Sequence, residues 1–119
     1  MKILIVDDER ELVSILVEWL SCRGHEARGI TGSADLQSWI RKTECELVLL
    51  DLMLPDGNGL DLIAGMVEKT HVSIVAMSGM DEGSWVPMAL ERGATDCLLK
   101  PISFVRLGQI IERVENQSA

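Results

Sequence analysis

Residues 46–59 read Glu-Leu-Val-Leu-Leu-Asp-Leu-Met-Leu-Pro-Asp-Gly-Asn-Gly, and this stretch decides the fold. Glu46–Leu50 is a near-continuous apolar run, the pattern of a strand covered on both faces of a parallel sheet. It runs into Asp51, ahead of Pro55 and Gly57, which read as turn formers. From Gly59 the apolar residues recur at helical spacing, placing Leu60, Ile63 and Val67 on one face of a helix over Gly59–Lys69. Strand, acid-headed loop and helix make one βα unit.

The same unit recurs on both sides. Lys2–Val6 (KILIV) and Ser73–Met77 (SIVAM) are equally clear strands, and Cys97–Leu99 is a shorter one. His25–Ile30 is polar and reads as an edge strand. In Glu9–Arg23, Leu12, Ile15, Leu16, Trp19 and Leu20 share a helical face, with Asp8-Glu9-Arg10-Glu11 as a capping box and Gly24 as the stop. Ser33–Lys42 is a shorter helix carrying Leu36, Trp39 and Ile40. Ser84–Arg92 is stopped by Gly93. Pro87 must lie in that helix's first turn, where its missing N–H does no harm, so the helix starts near Ser84 and Met80–Gly83 lengthens the loop before it. Ser103–Glu115 carries Leu107, Ile110, Ile111 and Val114, with Ser103 as its N-cap. Five alternating βα units predict an α/β domain with a parallel sheet and right-handed crossovers.

Composition narrows the function. The 119 residues suit one domain spanning 1–119, and no linker or further domain is expected. With 19 acidic and 11 basic residues the net charge is −8, which argues against direct binding of nucleic acid or of an anionic membrane surface. The apolar runs are too short to span a bilayer, and the first one leads into three acids, unlike a signal peptide. Cys22, Cys45 and Cys97 are odd in number and far apart, pointing to a reducing, cytoplasmic setting rather than disulfides or zinc. One Phe, three Trp and no Tyr leave little for a base-stacking platform.

In open parallel α/β sheets, ligands bind at the carboxyl ends of the strands. There this chain places Asp7, Asp8 and Glu9 after the first strand, Asp51 after the third, Ser78-Gly79 after the fourth and Lys100-Pro101 after the fifth. Taken alone, Asp7 and Asp8 read first as helix caps, Asp51 equally as a turn former, and Ser78 and Lys100-Pro101 as loop residues. Together, three acids at one sheet edge repel one another unless a cation lies among them. A hard divalent ion such as Mg²⁺, which takes carboxylate and phosphate oxygens, and the ammonium of Lys100 are the two candidates.

The ordered set Ile5-Val6-Asp7-Asp8-Glu9, Asp51-Leu52-Met53-Leu54-Pro55-Asp56-Gly57-Asn58-Gly59, Ser78-Gly79 and Gly93-Ala94-Thr95-Asp96 leading to Lys100-Pro101 resembles, from end to end, the receiver domain of bacterial two-component response regulators. That resemblance implies a flavodoxin-like, doubly wound (βα)5 sheet of strand order 2-1-3-4-5. It implies Asp51 as phosphoacceptor, with Asp7, Asp8, Asp51 and the backbone carbonyl of Met53 holding Mg²⁺. Ser78 and Lys100 would contact phosphoryl oxygens, and the Lys100–Pro101 bond would be cis. The implied donor is a sensor histidine kinase or histidine phosphotransfer protein. The implied readout is the surface of the fourth helix, fifth strand and fifth helix, passed to a downstream output domain or protein. The domain would be a switch, not a turnover enzyme, and a monomer before phosphorylation, since no apolar helix face looks unpaired.

Departures from the family pattern sharpen the expectations. Such domains usually carry Tyr or Phe where Cys97 stands, as the switch residue. Trp85 and Phe104 are the nearby aromatics by sequence; either substitutes for it, or both simply pack. Met53 and Met80 occupy positions that tune dephosphorylation in the family, and neither can activate water, so a long-lived phosphoryl group is expected. Met80, Trp85, Val86 and Met88 read either as a docking patch or as ordinary core, with two of the four buried. Three rivals stand beside this reading. An aspartate-nucleophile phosphatase would want an acid where Met53 stands. A flavodoxin-like cofactor binder would want a phosphate loop where Asp-Asp-Glu stands. A degenerate receiver, docking without phosphorylation, is kept alive by Cys97.

Overall fold

The computed structural model describes residues 1–34, 36–79 and 84–118, the last by its backbone. Strands and helices alternate: β1 (Lys2–Val6), α1 (Arg10–Cys22), β2 (Glu26–Ile30), α2 (Leu36–Thr43), β3 (Leu47–Asp51), α3 (Gly59–Lys69), β4 (Ser73–Ser78), α4 (Val86–Arg92), β5 (Asp96–Leu99) and α5 (Phe104–Ser118). The five strands form one parallel sheet in the order β2-β1-β3-β4-β5. The expected fold class and strand order are both present.

The apolar runs of the inner strands follow from burial on both faces. Leu4, Val6, Val48, Leu50, Ile74 and Ala76 point to one core with Leu36, Ile40, Ile63, Met66, Trp85 and Ala89 of the α2–α4 side. The alternate residues Ile3, Ile5, Leu47, Leu49, Val75, Met77 and Leu98 point to the other, with Leu16, Leu20, Leu107, Ile110, Ile111 and Val114 of α1 and α5. Successive strand side chains face opposite ways, so each strand serves both cores. β2 pairs with β1 alone and is half-exposed along its length, which explains its polar sequence.

Several expected boundaries hold. Gly24 and Gly93 end α1 and α4 with φ of 90° and 114°, a backbone region that glycine adopts without steric cost. Ser103 caps α5, its Oγ accepting from Arg106 N at 3.2 Å. Others shift. α2 begins at Leu36 rather than Ser33, whose N–H instead donates to Asp56 Oδ2 at 2.9 Å and ties two loops together. α4 begins at Val86 rather than Ser84, with Pro87 in its first turn as required; the proposed Met80–Gly83 loop lies outside the described residues. The capping box over Asp8–Glu11 is absent. Glu9 is the N-cap; its N–H is taken by Asp7 Oδ1 at 2.9 Å, and its side chain, drawn to Lys100, makes no cap bond.

Two further readings are refined. Of the apolar group at the start of α4, Trp85 is buried, Val86 half-buried and Met88 exposed, while Met80 lies outside the described residues. Apolar side chains do remain open on the last three elements: Met88 and Leu90 of α4, Leu99 of β5 and Val105 of α5.

Gly59 opens α3 where the chain passes back against β3. A Cβ there would stand 2.5 Å from Leu52 Cα, a backbone atom that cannot step aside. Gly59→Ala should therefore destabilise the fold by about 1–3 kcal/mol through overpacking, read as a lowered midpoint in thermal melts. An unchanged midpoint would mean that this loop yields freely.

Candidate functional site

Each functional side chain is placed by the end of a strand. β1 delivers Asp7 and Asp8, β3 ends in Asp51, β4 ends in Ser78, and Lys100 follows β5. Because β1, β3, β4 and β5 are parallel and adjacent, all these ends lie at one edge of the sheet. An open cleft of about 800 Å³ lies there, lined by Asp8, Glu9, Asp51, Met53, Lys100 and Ile102 among others.

Asp7 and Asp51 are buried and Asp8 is exposed, yet carboxylate oxygens of all three lie within 4.8 Å of one another. Lys100 is their counter-ion. Its Nζ stands 2.8 Å from Asp7 Oδ2, 3.2 Å from Glu9 Oε1 and 3.5 Å from Asp51 Oδ2. The base of the lysine is fixed by its N–H, which donates to the Ser78 carbonyl at 3.0 Å; the bond to Pro101 is cis. Gly79 lies beside it: a Cβ added there would meet Lys100 Cβ at 3.7 Å. Ser78 is fully buried at the end of β4.

Asp51 Oδ1 accepts from Met53 N at 3.0 Å, which fixes the rotation of the carboxylate. Burial raises the Asp51 pKa above the ordinary carboxylate range, and the charge of Asp7 adds to this; the Met53 N–H and Lys100 oppose it without cancelling it. For Lys100, burial works downward, but the close contact with Asp7 and the charges of Asp51 and Asp7 outweigh it and leave its pKa raised. The ammonium is thus locked in its charged form by the acids around it.

The donor set suits a hard divalent cation. It consists of carboxylate oxygens alone, and Asp7 Oδ2, fully buried, makes no hydrogen bond of good geometry; its 2.8 Å contact with Lys100 is an ion pair only. A buried carboxylate oxygen left in that condition has capacity for a further positive partner.

Asp7, Asp8, Asp51 and Lys100 therefore meet; Ser78 joins them through its carbonyl, which accepts from Lys100 N, and Met53 through its N–H on Asp51 Oδ1. Glu9 is the one that sequence reasoning left without a role. Its place in a run of three acids was visible, but its partner lies 91 residues away in sequence. Around Cys97 the aromatics divide. Trp85 packs into the same core as Cys97, on the α2–α4 side, whereas Phe104 stacks on Trp19 at 5.2 Å between ring centres, on the α1–α5 side. Burial and then the charge of Asp96 push the Cys97 thiol up to about 11. Asp96 itself is held by Arg106 and Arg113 of α5, each at 3.0 Å.

This fold with this acid-and-lysine edge is that of a phosphoacceptor module. A model of the response regulator receiver domain matches residues 3–112, and the chain belongs to that family. It is 32% identical over 117 residues to the DNA-binding transcriptional regulator NtrC of Azospirillum brasilense, covering 98% of this chain and 24% of that protein. It is 34% identical over 100 residues to the DNA-binding response regulator MtrA of Mycobacterium leprae, covering 84% of this chain and 44% of that protein. The crystal structure of NtrX from Brucella abortus superimposes with a TM-score of 0.88 at 30% identity, over 98% of this chain and 28% of that one. The chain thus spans less than half the length of these relatives. Among the described residues, no helix is long and apolar enough to cross a membrane.

Proposed function

We propose that this chain is a phosphorylation-controlled switch which accepts a phosphoryl group on Asp51 in a Mg²⁺-dependent reaction. The observation that carries this reading is Lys100 Nζ standing 3.5 Å from a buried Asp51 whose neighbours, Asp7 and Asp8, complete a three-carboxylate cluster. The donor is a phosphohistidine on a sensor kinase or phosphotransfer protein. Asp51 attacks the phosphorus, an O–P bond forms and the N–P bond breaks; the imidazole leaves with the electron pair and takes a proton from water. Asp7, Asp8, Asp51 and the Met53 carbonyl would hold the Mg²⁺, which when bound neutralises charge on the phosphoryl oxygens. Lys100 supplies a second positive charge and Ser78 a hydroxyl donor, so catalysis is mainly positioning and electrostatics.

The new dianion draws Ser78 and Lys100, which lie at the ends of β4 and β5, and biases the α4–β5–α5 surface toward one of two states. That surface, with Met88, Leu90, Leu99 and Val105 exposed, would face the downstream output domain or protein. The domain catalyses only its own phosphorylation and dephosphorylation, works in the cytoplasm, and leaves any DNA contact to a separate output region. Cys97 in place of the usual aromatic favours one second reading, a degenerate receiver that signals by docking alone.

Intact mass after incubation with acetyl phosphate separates the two. One phosphoryl adduct, dependent on Mg²⁺ and lost in Asp51→Asn, is the expected result. A folded protein that binds Mg²⁺ yet takes no adduct would leave the docking module as the better account.

A further inference from the structure

Glu9 stands apart from the other acids. It lies outside the three-carboxylate cluster, at the rim of the cleft, with its side chain 62% exposed. It is the N-cap of α1, but its carboxylate caps nothing. Instead Oε1 reaches Lys100 Nζ at 3.2 Å. The lysine is thus shared among Asp7, Glu9 and Asp51, with Asp7 nearest.

This sharing conflicts with metal binding. Asp7 Oδ1 already accepts from Glu9 N, so Oδ2, the closest partner of Lys100, is the oxygen left to a divalent cation in the cluster. Two cations cannot both be neutralised by one buried carboxylate oxygen without strong repulsion. An anion outside the cluster and already touching the ammonium can hold the lysine once Asp7 is taken, and Glu9 is the carboxylate so placed.

We propose that Glu9 is a positioning residue: it holds Lys100 when the acidic cluster is occupied by Mg²⁺, and the lysine must leave it to reach a phosphoryl group on Asp51. Glu9 therefore works in two opposite directions. It favours Mg²⁺ binding by receiving the displaced ammonium. It slows phosphoryl transfer by keeping that ammonium at the rim through direct contact.

The inference rests on the phosphoacceptor reading, and the test keeps the two apart. Mg²⁺ affinity is measured by calorimetry, and the phosphorylation rate with acetyl phosphate at saturating Mg²⁺ by intact mass, for wild type, Glu9→Gln and Glu9→Asp. Glu9→Gln should weaken Mg²⁺ binding and raise the saturated rate, each by about two- to fivefold, the worth of one partly exposed ion pair. Glu9→Asp keeps the charge but is one methylene too short to hold Lys100, so its saturated rate should rise as in Glu9→Gln. A residue serving only as a helix cap would lower the melting temperature and leave both quantities unchanged. If wild type forms the adduct and Glu9→Gln matches it in affinity and rate, or is slower, the Glu9 proposal falls alone. If Glu9→Asp keeps the wild-type rate, charge without contact accounts for the effect and the proposal falls. If wild type forms no adduct, both readings fall together.

Discussion

Lys100→Met should lower the stability of the metal-free protein by about 3 kcal/mol, the lower end of what removing one partner from a buried ion pair costs. For a domain of this size that is a fall of about 8–12 °C in melting temperature. Methionine keeps the length and the apolar stem, so the loss reports the charge. Without the ammonium, Asp7 and Asp51, both buried, are left facing one another and Asp8. The pH dependence follows from the direction of the lysine's shift. A lysine whose folded pKa is raised contributes stability throughout the range below its ordinary value near 10.5, and loses it only as pH rises through the higher folded value. At neutral pH the full deficit should appear. It should shrink as pH falls toward about 4, Asp51 with its raised pKa taking up a proton first and no longer needing a counter-ion. Melting curves in EDTA at pH 7.5 and pH 4 make the comparison. Equal midpoints at pH 7.5 would show that the three ion pairs of Lys100 carry no net weight.

Asp51→Asn should have the opposite sign in the same buffer. The Asp51 pKa is raised in the folded state, first by burial and then by Asp7, so its ionised form opposes folding. That penalty is fully present above the folded pKa, diminishes as pH falls through it, and is gone below the ordinary value near 3.9. The variant should therefore be more stable than wild type at pH 7 in EDTA, and the two should converge in acid. Mg²⁺ should reverse the order. A ligand present at a hundred times its Kd stabilises the folded state by about 2.7 kcal/mol, and the variant lacks one of the charges that hold it. A melting temperature for wild type that is indifferent to Mg²⁺ would argue against the acidic cluster as a cation site.

The sequence was most legible where one physical requirement acted alone. The interiors of β1, β3 and β4 are buried on both faces, so apolar residues fill them up to the site residues at their carboxyl ends. Gly24, Gly93 and Ser103 announce helix ends through local backbone geometry. The errors fall where distant groups compete for local ones. Ser33 does not start α2; its N–H ties it to Asp56 of another loop. The capping box fails because Asp7 holds the N–H of Glu9 while Lys100 holds its side chain. The site residues could be read off because each stands at the end of its own strand. That they face one another depends on strand order, for which the family resemblance was needed. The role of Glu9 depends on a contact between the first and last βα units and left no local trace.

The burial of Trp85 also makes the protein its own optical instrument. The chain has no tyrosine, so its near-ultraviolet emission comes from three indoles. Trp19 lies beneath the Arg23 guanidinium, 4.0 Å from the ring centre, and Trp39 beneath that of Arg28 at 5.4 Å; both are far along the chain from α4. Trp85 alone is sealed inside the core, one residue before α4 begins and in the same core as Cys97. With Trp19 and Trp39 replaced by phenylalanine, the remaining spectrum would belong to the one indole that shares a core with Cys97, and the colour of that light would follow the water that reaches it.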